Sequence, residues 1–377
     1  PRQESDRQGE KKWYSAFMAR PETGPLGVMI LLFCMLGYFS IPEGEFSLNP
    51  FSGEGFNALG IRNNFRVIAQ LGIVALAAGM LIIAGEFDLS VGSMIGFAGI
   101  VIAVTSVVWG WPVWLSILIA FVVSMSIGAL IGYITVKTNL PSFIVSLAFL
   151  YILRGMTIFI AIISTKKTII GGVTEVAEND WLAPVFGGKI FTGVFDWLAE
   201  QGIIQTFVAG TKAGQPVVSG IPMMMVWAIG LVIFAHFLLT KTRFGNWIYA
   251  SGGDAQAARH IGVPVNRVKI LMFVFTAFCA TVFATTQVIE FGSASADRGI
   301  LKEFEAIISV VIGGALLTGG YGSVIGAALG AVIFGVVQQG LFFIGVESSL
   351  FRVFLGVLLL LAVILNTHVR KLITGAK

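Results

Sequence analysis

Few residues in this 377-residue chain could do covalent chemistry. The three histidines, His236, His260 and His368, stand far apart with no Cys or Glu at metal-ligand spacing, so they do not read as a zinc or iron site. No GxxxxGK followed by Ser or Thr occurs, so the loop that cradles nucleotide phosphates is not legible either. Cys34 and Cys279 both fall inside long apolar runs, where a thiol reads as a small packing group. The expectation is a chain with no catalytic residues, no bound cofactor and no metal ligands. Any nucleotide hydrolysis that drives it would belong to another chain.

The elements around these residues read as membrane spans. Hydrophobic residues make up 56% of the chain and charged residues 12%, whereas soluble domains carry roughly a quarter charged. A crossing helix needs about 20 mostly apolar residues. Thr23 to Pro42, Val67 to Gly85 and Ile270 to Ile289 each hold one, and Leu89 to Val136 and Ala306 to Val346 hold two each. Thr138 to Thr165 holds one interrupted by Arg154, and Ala213 to Thr240 and Val353 to Thr367 supply the remainder. Trp109-Gly110-Trp111-Pro112 and Gly319-Gly320-Tyr321-Gly322 divide the double-length runs. Ala306 to Leu317 is short and Gly-interrupted, as expected of a half-span buried against neighbours. The fold expected is an all-α polytopic bundle of about ten transmembrane helices, within a range of eight to ten.

Basic residues mark the cytoplasmic side of a membrane protein. Arg2, Arg7, Lys11, Lys12 and Arg20 precede the first run, and Arg370, Lys371 and Lys377 follow the last. Lys241, Arg243, Arg259, Arg267 and Lys269 crowd one internal loop, while acids gather in Glu43 to Glu54 and Glu175 to Glu200. One topology satisfies all of these. It has a cytoplasmic tail over 1–24, a membrane domain over 25–367 and a second cytoplasmic tail over 368–377. Within the membrane domain, 164–221 is the outer segment and 241–269 a cytoplasmic loop. The net charge of +4 is then a topology signal, and no nucleic-acid partner is expected.

Glycines at four-residue spacing, Gly92 and Gly96, Gly128 and Gly132, and Gly322, Gly326 and Gly330, let helix backbones approach closely in lipid. The alternative use is as pore lining. Gly92, Ser93, Ile95, Gly96 and Ala98 recur as Gly322, Ser323, Ile325, Gly326 and Ala328, either an internal repeat or coincidence. In Glu86-Phe87-Asp88-Leu89-Ser90-Val91-Gly92-Ser93, two acids lie between apolar runs. Asp88 or Ser90 would cap the next helix, or Asp88, Ser90 and Gly92 would touch a gate or a cytoplasmic partner. In Ser251 to Pro264, Asp254 can cap a short helix over Ala255 to His260 that Gly262 and Pro264 stop. Its small alanines would suit a groove in another protein, and a solvated turn is the plainer reading. Candidate polar lining residues are Gln70, Asn139, Gln287, Gln338 and Gln339, each of which could equally bond helix to helix.

Three segments carry a likeness to a known family: Glu86 to Ser93, Ala257 to Lys269, and Gly313-Gly314-Ala315-Leu316-Leu317-Thr318-Gly319-Gly320-Tyr321-Gly322-Ser323-Val324-Ile325-Gly326. In this order, over roughly Val67 to Leu365, the chain resembles the permease subunits of bacterial ATP-binding-cassette importers for simple sugars. That group holds ribose, xylose and related monosaccharide or polyol permeases. The resemblance implies a homodimer in the bacterial inner membrane, a cytoplasmic ATPase that holds ATP and Mg, and a periplasmic sugar-binding protein. It makes Asp254, Ala257, Ala258, Arg259 and Gly262 the ATPase-coupling residues. Glu86, where the family usually has Gly, and the long Lys166 to Gly220 segment depart from the pattern. A branched-chain amino-acid or nucleoside permease is the nearer alternative. An ion-coupled carrier is more distant, because it needs ionisable groups at membrane depth and only Arg154 and Glu290 come near.

Overall fold

The structure, a computed structural model, describes residues 58–207, 214–343 and 350–361 and a few single positions (29, 30, 34, 345, 347 and 364). Both tails, and nearly all of the expected first span Thr23 to Pro42, lie outside these residues. Among the described residues seven helices are long and apolar enough to cross a membrane. They are α1 (Ala58–Ile83), α2 (Val91–Ala103, continued by a π-turn over Val104–Val108), α3 (Val113–Thr138) and α4 (Ser142–Thr165). After a segment of two-residue strands and short helices come α8 (Met223–Lys241), α11 (Val265–Phe291) and α13 (Val324–Phe343). Between α8 and α11 stand α9 (Arg243–Gly253) and α10 (Ala255–His260), and α12 (Lys302–Ile312) precedes α13. A shorter apolar helix, α14 (Leu350–Leu361), closes the described chain.

The expected breaks are where the turn residues stand. The π-turn widens the end of α2, Gly110 takes φ +70°, and Pro112 precedes the first turn of α3, where a missing N–H costs nothing. Asn139, at φ 55°, ends α3, and Pro141 precedes α4. The expected half-span Ala306 to Leu317 is displaced: the helix, α12, runs Lys302–Ile312, 11 residues with about 16 Å of rise, and ends at Gly313.

Burial sorts the helices into an inner and an outer set. Most of α1 (78%), α2 (83%) and α11 (67%) is buried, against 28–33% of α3, α4 and α8. The outer helices display Val122, Tyr151, Phe159, Ile233 and Phe237, as a lipid-facing surface must. Helix α11 sits at the centre and packs on α1, α2 and α3. At Gly128 and Gly132 the expected close packing is found, because a Cβ there would stand 2.7 Å from the Ala277 Cβ and 2.9 Å from the Ile270 Cα.

The described residues of the 164–221 segment fold over one end of the bundle. β1 (Ile169–Ile170) pairs antiparallel with β4 (Ala294–Ser295), and β2 (Lys189–Ile190) with β3 (Ile221–Pro222). Of the short helices between, α5 (Val173–Ala177), α6 (Ala183–Gly187) and α7 (Thr192–Glu200), α5 and α6 lie against α11, and α6 also against α8. Trp227 Nε1 donates to the Val185 carbonyl at 2.9 Å, and its ring stacks on Phe186. This is the Trp109 end of the bundle. The opposite end carries α9 and α10 and is called the Asp254 end.

Candidate functional site

Two stretches of non-helical backbone enter the bundle. Residues 84–90 connect α1 to α2, and residues 293–301 descend along α2 to the start of α12. The descent is visible in glycine contacts: Gly99 faces Val288 and Ala294, Gly96 faces the Ala296 and Arg298 carbonyls, and Gly92 faces the Gly299 carbonyl and the Glu303 carboxylate. Irregular backbone at this depth is tolerated only where protein satisfies it. For 84–90 the satisfaction comes from α4, whose Ser142 and Ser146 hydroxyls accept from Phe87 N at 2.9 Å and Leu89 N at 3.0 Å. The sequence reading missed these serines, although their i, i+4 spacing at the head of a span was a usable signal.

Asp88 and Ser90 do not cap α2 as expected. Asp88 Oδ1 accepts from Ser90 N at 2.8 Å and Ser90 Oγ at 2.6 Å, and Ser90 makes no side-chain cap. Ser90 already has helical φ and ψ, so the carboxylate closes a local turn that leads into the helix. Gly92, third of the candidate gate residues, is where the starts of α2 and α12 meet. A methyl group there would overlap Glu303.

Glu303 is 2% exposed and its Oε2 has no hydrogen-bond partner. Arg154 and Asp88 act on it through space, and Glu305, its neighbour, is paired with Lys302. Glu303 is thus a candidate for the acid offsetting Arg154, which the sequence left unidentified. Asp88, Glu303 and Glu305 add buried carboxylates to the intramembrane ionisable groups. The sequence concealed them because 84–90 and 293–301 read as loops.

At the Asp254 end, Asp254 Oδ1 accepts from Gln256 N and Ala257 N, both at 2.9 Å, and so caps α10. Gly262 at φ +88° and Pro264 stop it. Ala257 and Arg259 are exposed, and Arg259 donates to Asn266 Oδ1 at 3.1 Å. Ala258 differs from the expectation of a surface alanine: it is 3% exposed, packed on Val263 and Val265 of its own chain. The outer face of α10 is instead Gln256, Ala257, His260 and Ile261, the last 78% exposed.

Behind α10, three loops meet backbone to backbone. Gly320 N donates to the Ile83 carbonyl at 2.9 Å. A methyl group on Gly252 would overlap that same carbonyl and stand 2.8 Å from Gly320 N. Glu86, the departure from the family pattern, is ion-paired with Lys269 on α11. This pair lines a cavity of about 260 Å³ together with Thr135, Val136, Asn139, Leu140, Pro141 and Arg259.

The candidate lining residues separate. Asn139 belongs to that cavity at the Asp254 end. Gln70 and Gln287 lie toward the other end, on the helices joined by the Arg66–Glu290 ion pair, since Gln70 is one turn beyond Arg66 and Gln287 one turn before Glu290. Gln338 lies on α13, one turn beyond Gly335, which packs on Ile68, and Gln339 is its half-buried neighbour. Arg62, Arg66 and Arg298 were missed as site residues. Arg62 and Arg66, at i, i+4 in the first turns of a span, were the available signal.

Non-helical backbone inside a bundle that has, among the described residues, seven helices long and apolar enough to cross a membrane defines a polytopic membrane protein. Residues 60–363 match the family described as branched-chain amino acid transport system, permease component, and the chain belongs to that family. It is 30% identical over 344 residues to the xylose transport system permease protein of Escherichia coli (strain K12), covering 85% of this chain and 87% of that protein. It is 32% identical over 316 residues to the ribose import permease protein of the same strain, covering 82% and 87%. A probable ABC transporter permease protein of that strain is 30% identical over 385 residues, covering 98% and 97%.

Proposed function

We propose that the chain is the membrane subunit of an ATP-driven, binding-protein-dependent importer that moves a monosaccharide or polyol across the bacterial inner membrane. The pentose permeases among its relatives support a sugar over the branched-chain amino-acid alternative. The observation that carries the mechanism is α10, a short capped helix between two long crossings with Ile261 bare at its end. In this reading α10 seats in a cytoplasmic ATPase, which holds the ATP and Mg, and the Trp109 end meets a periplasmic sugar-binding protein. Two copies of the chain form the pathway.

A partner shifts a conformational equilibrium only by its differential contacts with the two states, so α10 must move rigidly with the spans. The backbone contacts of Gly252 with Ile83 and Gly320 tie α9 to the end of α1 and to the loop before α13. The Glu86–Lys269 pair ties α11 to the 84–90 segment. Movement of α10 thus reaches the start of α2, where Asp88, Ser90 and Gly92 stand.

The test is reconstitution in vesicles with the ATPase and receptor encoded beside the chain. Receptor-stimulated hydrolysis and labelled sugar uptake are expected together, and Asp254→Lys should uncouple them or weaken ATPase association. Ala258→Glu should do the same by unseating α10 from Val263 and Val265. Full coupling in both variants refutes the role of α10. Orientation is checked in intact cells: a cysteine at Asn179 should react with an impermeant thiol reagent and one at Gln256 should not.

A further inference from the structure

The Trp109 end holds a set of buried polar atoms that the protein leaves without partners. Arg62 Nε, Arg66 Nε and Arg298 Nη1 have no acceptor, and Gln287 Oε1 and Gln338 Oε1 have no donor. They come from four elements but occupy one region. Arg62 and Arg66 are one turn apart on α1, and Arg66 pairs with Glu290 of α11. Arg66 and Arg298 both lie against the Phe291 ring, with guanidinium carbons 5.2 and 4.7 Å from its centroid. Gln287 is one turn before Phe291. Gly335 meets Ile68 and Ala327 meets Gly79, so α13 runs antiparallel to α1 and brings Gln338 level with the Arg62–Arg66 turn.

A purely structural network would turn these N–H groups toward these amide oxygens, because unpaired buried polar atoms are costly. Here donors and acceptors converge without meeting. Much of the guanidinium charge is already engaged, by Glu290, by the Val217 carbonyl at 3.2 Å from Arg62 Nη1, by Ser293 Oγ at 3.4 Å from Arg298 Nη2, and by the ring. What is left unpartnered is a set of N–H and C=O groups, shielded from solvent in this conformation, beside an aromatic ring that is 44% exposed. A hydroxyl both donates and accepts, so a compact polyhydroxylated molecule satisfies both kinds at once.

The geometry points to a polyol-accepting station at the Trp109 end, built by Arg62, Arg66, Gln287, Phe291, Arg298 and Gln338. This inference rests on the reading of the chain as a sugar permease and names the side chains that first take the sugar from the receptor.

The test uses vesicles holding the complete importer, with tritiated D-ribose and D-xylose as probes and 2-deoxy-D-ribose as analogue. Gln287→Leu and Gln338→Leu should cut uptake of the transported pentose at least tenfold at equal amounts of assembled permease. Receptor-stimulated ATP hydrolysis should stay within twofold. Gln287→Asn, which keeps the amide, should recover at least half of the lost uptake. At least one Leu variant should discriminate less than the wild type between ribose and its deoxy analogue, an effect that a merely structural role would not produce. Wild-type uptake in both Leu variants makes the cluster a water-filled structural network and overturns the station. Loss of receptor-stimulated hydrolysis together with uptake makes it a receptor dock and overturns it equally. If the wild-type importer hydrolyses ATP but moves neither pentose, nor D-glucose, D-galactose or myo-inositol offered in their place, the sugar reading falls first and the station with it.

Discussion

Replacing Asp254 by Ala removes the acceptor for two of the four N–H groups that open α10, while leaving every helical residue in place. Both bonds, from Gln256 N and Ala257 N, are 2.9 Å long and end on one carboxylate oxygen. Loss of such a cap costs about 1–2 kcal/mol, or roughly 5- to 30-fold in a local opening equilibrium. A helix of six residues has little else of its own to hold it. Its remaining support includes Ala258 on Val263 and Val265 and the Arg259–Asn266 hydrogen bond. Amide hydrogen exchange of the purified permease, read by mass spectrometry on peptides covering 255–262, should therefore speed up about 5- to 30-fold. Exchange in the middle of α11 should not change. Asp254→Asn and Asp254→Ser, which restore a capping oxygen, should fall within a few-fold of the wild type. Unchanged exchange in Asp254→Ala, or acceleration shared equally with α11, would refute the reasoning. The first result would mean that the packing of Ala258 holds α10 without its cap, and the second that α10 opens only together with the bundle.

Two further outcomes follow from the buried charges. Glu86→Gln strands Lys269, and Lys269→Gln strands Glu86, so each single variant should lose thermal stability in detergent. Because the two touch, the double variant should lose less than the sum, with a coupling of about 0.5–3 kcal/mol; additive losses would show that the pair contributes nothing. Arg154→Leu should lower the amount of folded protein on size-exclusion chromatography more than it lowers transport per folded molecule. Adding Glu303→Gln should restore part of that amount, and no restoration would remove Glu303 as the acid that Arg154 offsets.

The charge-free runs between Val67 and Phe343 were enough to locate the crossings. A bilayer demands both length and apolarity, and the Trp109–Pro112 break and the short α12 are written in local turn chemistry. The cap at Asp254 and the stop at Gly262 were equally local, because a cap depends on residues two and three positions away. Which face of α10 turns outward was not local. Ala258 faces inward because Val263 and Val265 fold back beneath it, a contact that depends on the turn at Gly262. The buried acids were hidden for a related reason. Asp88 lies within, and Glu303 just after, stretches that sequence reads as loops, and only packing against α2 and α4 draws those stretches into the bundle. Glu86 looked like a misplaced charge until α11 brought Lys269 to it across 183 positions. Arg62, Arg66, Gln287, Arg298 and Gln338 are scattered in the chain, and their convergence was decided by the antiparallel packing of α1 with α11 and α13. Periodicity and hydropathy determine each helix by itself; which polar faces meet depends on interhelical contacts, which no window of sequence contains.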